Sequence, residues 1–461
     1  MWSITGTVPE NFNYCRMSKY LVLAVIACSI SASFASSSRP DLIDAVRRRD
    51  HRAVNALLKA KVDVNQAQPD GATALSWAAH LGDRETALAL IDAGANVNAA
   101  DEYGETPLTL ACVIGDPVLI KKLLDTGANP NAARWNGETA LMIASSSGAT
   151  EAVRYLLDKG AAVNTAESRK GQTPLMWAAA EGHSDTVQLL VERGADVKAA
   201  SKSGFNALLF AASKGDAKSV QGLLKAGADP NYTLRDGMTP LLVATAFEGD
   251  LAAAALLDAG ANPKVADKTG ATPLHTAAQL GGLDLVKKLI AKGADVNART
   301  KRTPPPRRAS FRFAPAGEQT PLLFAARANH VDVMKALVAA GADPSLKAQD
   351  GTTLLMAAAG SGHLEPVQLA YELAPDIKAV TDNGTTVMHS AVTFTLTDST
   401  QEKVCKVVQF LADKGALLDE KNESGRTPID IADILPIDKA VTLLTDLIVK
   451  SGATPKAPSK R

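Results

Sequence analysis

Seven histidines offer the most versatile chemistry in this chain: His51, His80, His183, His275, His330, His363 and His389. A histidine can shuttle protons near neutral pH or bind a metal. Four cysteines (Cys15, Cys28, Cys112 and Cys405) add candidate thiols, and acids recur at Asp196, Asp229, Asp295 and Asp343. A shared metal would need its nitrogen ligands about 2 Å from one point. Acid–base work would need two carboxyls in unlike surroundings that split their pKa values. Neither demand is met by residues that recur in step along a chain. No phosphate loop of the G-x-x-x-x-G-K-[ST] kind, nucleophile elbow or H-E-x-x-H pair is present. The one conspicuous charge cluster is the stretch from 298 to 323. It carries Arg299, Lys301, Arg302, Arg307, Arg308 and Arg312 before its first acid, Glu318, together with Pro304–Pro306, Phe311 and Phe313.

The elements that position these residues repeat. The motif G-x-T-P-L and its variants place a threonine or its substitute at 73, 106, 139, 173, 206, 239, 272, 320, 353, 386 and 427. The spacing is 33 or 34 residues, except for one interval of 48 before Thr320 and one of 41 before Thr427. A second motif repeats in phase as GANVN at 94, GANPN at 127, GADVK at 194, GADPN at 227, GANPK at 260, GADVN at 293 and GADPS at 341. In the fullest copy, 270–298, Thr272 can cap a helix through its hydroxyl, and Pro273 suits the first helical position. Leu274, Ala277 and Ala278 give a small apolar face, and Gly281-Gly282 turns the chain. Leu283, Leu285, Val286, Leu289 and Ile290 then form the stripe of a second, amphipathic helix. Gly293 is placed to end it in the left-handed conformation.

These residues resemble the ankyrin repeat, of the exported bacterial type, across residues 40–452. Residues 41–65 lack the Thr-Pro-Leu turn but retain two helical patterns and begin the array. Arg47, Arg48 and Arg49 suit an outward-facing cap there, and 427–452 closes the other end. The resemblance implies an all-α repeat solenoid of about twelve stacked helix-turn-helix units with projecting β-turn tips, read as one elongated domain. Departures are local: Asn206 stands for Thr, and "YELAPDIKAV" at 371–380 replaces the usual turn of the tenth repeat. The interval of 48 marks an insertion, 299–316, between repeats.

The histidines then read as parts of the repeat. His275 and His389 stand in the Thr-Pro-Leu-His slot, bonding turns, and the others lie in turns between helices or near the groove. Trp77 and Trp177 share a first-helix slot and read as core, and Cys112 as a small buried hydrophobe. No catalytic, metal-binding or cofactor-binding residue is expected, and no cofactor. The resemblance implies protein binding through a concave face made of turn tips and first helices. Carried over by position, it places Tyr103, Trp135, Arg169, Phe205, Arg235 and Met238 on tips and Phe247 on a helix. Tyr103, Trp135 and Phe205 stand out, because binding hot spots favour large aromatic side chains and arginine. Arg307, Arg308, Phe311 and Phe313 are the candidates in the insertion, which reads either as a tolerated loop or as an accessory contact.

The expected function is a non-enzymatic, monomeric scaffold for unidentified protein partners. The alternative is a structural or inhibitory subunit of an envelope enzyme, contacting it through 299–313. Lys+Arg and Asp+Glu both total 49, and this balance argues against nucleic acid as the main ligand. The N-terminus predicts export. Residues 17–35 read as a signal peptide, with an apolar run from Tyr20 to Ile30 and Ser33-Phe34-Ala35 as a cleavage site. Residues 1–16 read as an over-extended start ahead of Met17. Val25-Ile26-Ala27-Cys28 offers a second route, lipidation at Cys28. Cleavage is favoured because the apolar run continues past the cysteine, and it leaves a periplasmic or secreted chain with no membrane span. Residues 453–461 read as a disordered tail.

Overall fold

The computed structural model describes residues 41–303, 317–393, 398–435 and 437–454. The described residues fall into two compact units, divided between Asp229 and Pro230. In the first, six helix pairs follow one another: α1 Leu42–Arg47 and α2 His51–Lys59, α3 Ala74–His80 and α4 Arg84–Asp92, α5 Pro107–Ile114 and α6 Pro117–Asp125, α7 Ala140–Ser147 and α8 Thr150–Asp158, α9 Pro174–Glu181 and α10 Ser184–Glu192, α11 Ala207–Lys214 and α12 Ala217–Lys225. The second unit has six more: α13 Pro240–Ala246 and α14 Asp250–Asp258, α15 Pro273–Leu280 and α16 Leu283–Ala291, α17 Pro321–Arg327 and α18 Val331–Ala339, α19 Leu354–Ala359 and α20 Leu364–Leu373, α21 Val387–Ala391 and α22 Asp398–Asp413, α23 Pro428–Ile434 and α24 Asp438–Lys450. Within each unit the architecture is the all-α solenoid of stacked pairs that the period requires.

Each boundary has a local cause. Thr139 Oγ1 accepts the N–H of Met142 at 3.3 Å, and the Asn206 amide does the same work for Leu209 at 2.9 Å, so the substitution keeps the cap. Proline opens α5, α9, α13, α15, α17 and α23, where its missing N–H costs no helical bond. Gly148 ends α7 at φ +71°, and a Cβ there would lie 2.6 Å from the His183 ring. The position therefore needs glycine for both conformation and space. Ala78, Ala79, Ala111, Cys112, Ala178 and Ala179 are fully buried. These small side chains let consecutive first helices approach closely.

A recurrent asparagine joins one repeat to the next. Asn98 donates from Nδ2 to Gly127 O at 2.9 Å and accepts the Asn129 N–H at 2.8 Å. Asn131 repeats this with Gly160 O and the Ala162 N–H, and in the second unit Asn231 does so with Gly260 O and the Asn262 N–H. The tips are linked too: Trp135 N–H donates to Tyr103 O at 3.0 Å, and Lys202 N–H donates to Lys170 O at 2.8 Å.

Three departures from the regular unit take definite form. The expected outward cap is exposed but engaged, because Arg47 lies 4.8 Å over the Trp77 ring and Arg49 Nη2 donates to Leu81 O at 2.6 Å. In the tenth repeat α20 ends at Ala374 with φ −150°, without the usual left-handed glycine, yet the bridge between Val380 and Thr386 restores the next tip. The interval of 41 is absorbed by α22, 16 residues long where most second helices have 9.

The insertion is closed at its base. Thr300 N–H donates to Gln319 O at 3.0 Å and Glu318 N–H returns to Thr300 O at 3.1 Å. Arg302 Nε pairs with Glu318 Oε1 at 2.7 Å, and Thr303 and Gln349 exchange two further bonds.

Candidate functional site: an aromatic tip edge

Tyr103 and Trp135 lie on consecutive tips of the first unit, 55% and 70% exposed. A single network of part-buried charges supports both. Arg134 Nε lies 2.7 Å from Glu105 Oε1 and Nη1 lies 2.9 Å from Glu138 Oε2, while Thr109 Oγ1 donates to Glu105 Oε2 at 2.8 Å. These charges sit in the necks of the two tips, where reduced solvent strengthens each bond. The aromatic side chains above them are thus presented from a fixed backbone. A hydrogen bond to the Glu102 carboxylate pushes the Tyr103 phenol above its ordinary pKa. Val113 and Ile114, at the end of α5, are also exposed, at 44% and 52%.

Phe205 requires a correction. It does not stand on the outer tip; it is buried at 4% exposure, with its ring centroid 5.5 Å from that of Phe210. The cause is its place immediately before the capping residue. Glu105, Glu138, Gln172, Met238 and Thr352 share that place and are all at least half-buried, because this part of the tip turns back toward the helix. Met238 is half-buried for the same reason. Residues four before the cap point outward instead, and Glu102, Trp135, Arg169 and Lys202 are all exposed.

Arg169 therefore falls on the same tip edge as Tyr103 and Trp135. A recess of about 280 Å³ opens beside it, lined by Arg169, Lys170, Gln172, Lys202, Ser203 and Phe210. Arg235, Met238 and Phe247 belong to the second unit, with Arg235 exposed and Phe247 40% exposed. Arg307, Arg308, Phe311 and Phe313 lie outside the described residues, as do Cys28 and the stretch 17–35 that reads as a signal peptide.

Three of the histidines hold neighbouring turns and repeats together. His275 accepts the Thr272 N–H on Nδ1 at 3.1 Å and places Nε2 2.9 Å from Gln319 O, with no exposure. His389 repeats both contacts with Thr386 and Arg426. His183 Nε2 meets Ser146 O of the preceding repeat at 3.0 Å. Burial pushes the Cys112 thiol up far out of the range of a nucleophile, and burial raises Cys405 as well. Among the described residues no three His, Cys, Asp or Glu side chains come together as metal ligands, and no helix is long and apolar enough to cross a membrane. Trp77 and Trp177 are half-buried in their shared slot, and the Trp77 indole donates to Gln68 Oε1 at 3.1 Å.

Sequence reasoning missed the Arg134 network and the asparagine ladder. Both had a signal: glutamate directly before Thr106 and Thr139 with Arg134 between them, and asparagine in phase at 65, 98, 131, 164, 231 and 297.

A helix pair with hydrogen-bonded tips, repeated in step along the chain, defines a helical repeat solenoid. The family model described as ankyrin repeats (3 copies) matches residues 42–134, 110–201, 208–300 and 322–406, and the chain belongs to the ankyrin repeat family. No curated protein matches it. Ankyrin repeats are generally protein–protein interaction modules.

Proposed function

We propose that the protein is a non-enzymatic scaffold that docks partner proteins on the tip edge and groove of its first unit. The observation that carries this reading is the pair Tyr103 and Trp135, exposed on bonded tips beside a part-buried charged network. Of the ten large apolar side chains exposed among the described residues, Tyr103, Val113, Ile114, Val118 and Trp135 fall within this one short span. An exposed apolar cluster with polar margins is the usual mark of an interaction surface, and aromatic anchors on a rigid support lose little entropy on binding. The location we propose is the cell envelope or the secreted space. It rests on the apolar run and the small residues of 17–35 in the sequence.

The test is the double variant Tyr103→Ala/Trp135→Ala. Both side chains are exposed, so its melting temperature should stay at that of the parent chain, since such substitutions usually act within about 0.5 kcal/mol. Partners captured from an envelope extract by the parent chain should be lost. Unchanged capture by a folded double variant would overturn the proposal. The second reading, an accessory subunit held through the insertion, draws on the bonded stem formed by Thr300, Glu318 and Gln319 at its base.

A further inference from the structure

The tip edge of the first unit has a charge order. In chain order, the exposed tip residues are Asp70, then Glu102 and Tyr103, then Trp135, then Arg169 and Lys170, then Lys202. Acids come first, aromatic rings occupy the middle and cations end the series. Among the described residues no carboxylate side chain forms an ion pair with Arg169 or Lys202; Lys202 Nζ donates to the Ser168 carbonyl at 2.6 Å. The nearest acid in sequence, Glu167, is buried and accepts the backbone N–H groups of Arg169, Lys170 and Gln172. Its charge therefore serves the turn rather than the cations above it. The recess of about 280 Å³ lies between these cationic tips, with Phe210 among its walls.

We infer that the tips carrying Arg169 and Lys202 bind an acidic segment of the partner, in extended form, whose apolar residue sits on Trp135. This rests on the tip edge being the docking surface proposed above. The geometry sets a spacing. Neighbouring repeats lie about one helix diameter apart, roughly 10 Å. An extended chain in the polyproline II form rises about 3.1 Å per residue with three residues per turn, so residues three apart meet successive tips from one side. Trp135, Arg169 and Lys202 occupy equivalent places on three successive tips. They call for an apolar residue and two acids at intervals of three, read in one chain direction or the other. A nucleic acid fits less well, because its phosphates need a continuous basic track and this edge turns acidic at Glu102 and Asp70.

The experiment is selection of a phage-displayed random 12-residue peptide library on the full chain, repeated on three variants. These are Arg169→Glu/Lys202→Glu, the milder Arg169→Gln/Lys202→Gln, and Tyr103→Ala/Trp135→Ala, each checked for an unchanged melting temperature. The expected winners carry two acids three apart, with an apolar residue three before or three after the pair. They should bind both cation variants at least tenfold more weakly, and the glutamate variant should select basic peptides instead. Winners without that acidic spacing, or winners indifferent to the cation variants, overturn this inference. If such winners are still lost on Tyr103→Ala/Trp135→Ala, the docking surface stands and only its charge preference fails. Winners insensitive to every variant, or no winners, sink both readings. Binding of an oligo-dT strand more tightly than the best peptide, abolished by the cation variants, would assign the edge to nucleic acid.

Discussion

At the scale of single residues, the histidines show how a reactive side chain is turned to structural use. His275 and His389 each accept a backbone N–H on Nδ1 and face a carbonyl with Nε2, so the neutral ring, protonated on Nε2, satisfies both contacts. A second proton on Nδ1 would break the first. Burial pushes both pKa values below the ordinary 6.5. The folded chain therefore binds fewer protons than the unfolded chain between the two values, and stability rises with pH there. The contribution is fully present above about 6.5 and declines as pH falls below it. Urea unfolding followed through the second unit should show lower stability at pH 5.5 than at 7.5. In the double variant His275→Gln/His389→Gln that slope should flatten. Equal stability at both pH values, or an unchanged slope in the variant, would contradict the assignment. The Glu318 carboxyl, held low by Arg302, changes stability in the same direction but in the more acidic range below its ordinary 4.5.

At the scale of elements, the insertion and the long helix α22 show where the period tolerates change. Both lie outside the first-helix and cap positions, which carry the repeat. The insertion leaves from Thr303 and returns at Gly317, whose N–H meets Thr303 Oγ1 at 3.2 Å. Because the stem is already closed, joining the two ends should cost little, and loop entropy changes slowly with length. A chain lacking 304–316, with one or two glycines in their place, should melt within about 2 °C of the parent, equivalent to a few tenths of a kcal/mol. Loss of many degrees would show that the removed residues pack on the array. The same deletion also separates the two functional readings. Capture of partners that survives it, but fails with Tyr103→Ala/Trp135→Ala, favours the tip edge, and the opposite pattern favours the insertion.

At the scale of the whole molecule, each helix pair is packed chiefly on its neighbours in sequence within its own unit. Stability in such an array is close to a sum of repeat and nearest-neighbour contributions, so damage should stay local. Leu123 is fully buried in α6. Its replacement by alanine should cost about 2–5 kcal/mol. Hydrogen exchange should speed up most in α4, α6 and α8, while the amides of α15 and α16 in the second unit keep their protection. Equal loss of protection in both units would show a single cooperative body instead.

Much of this protein was determined by its sequence alone. The period of 33, the Thr-Pro caps and the left-handed glycines fix the helix pairs, because caps and turns depend on a few residues close together in the chain. The histidines in the Thr-Pro-Leu-His slot were legible for the same reason. Tertiary structure decided which tip residues face outward. Phe205 and Trp135 are both aromatic residues on repeat tips, yet only Trp135 is exposed, since each tip folds its last residue back onto the helix below. It also decided that Arg134 joins two glutamates from successive tips. Side chains 29 to 33 residues apart meet only because stacking brings equivalent positions of neighbouring repeats together, and no local pattern states which of them will touch.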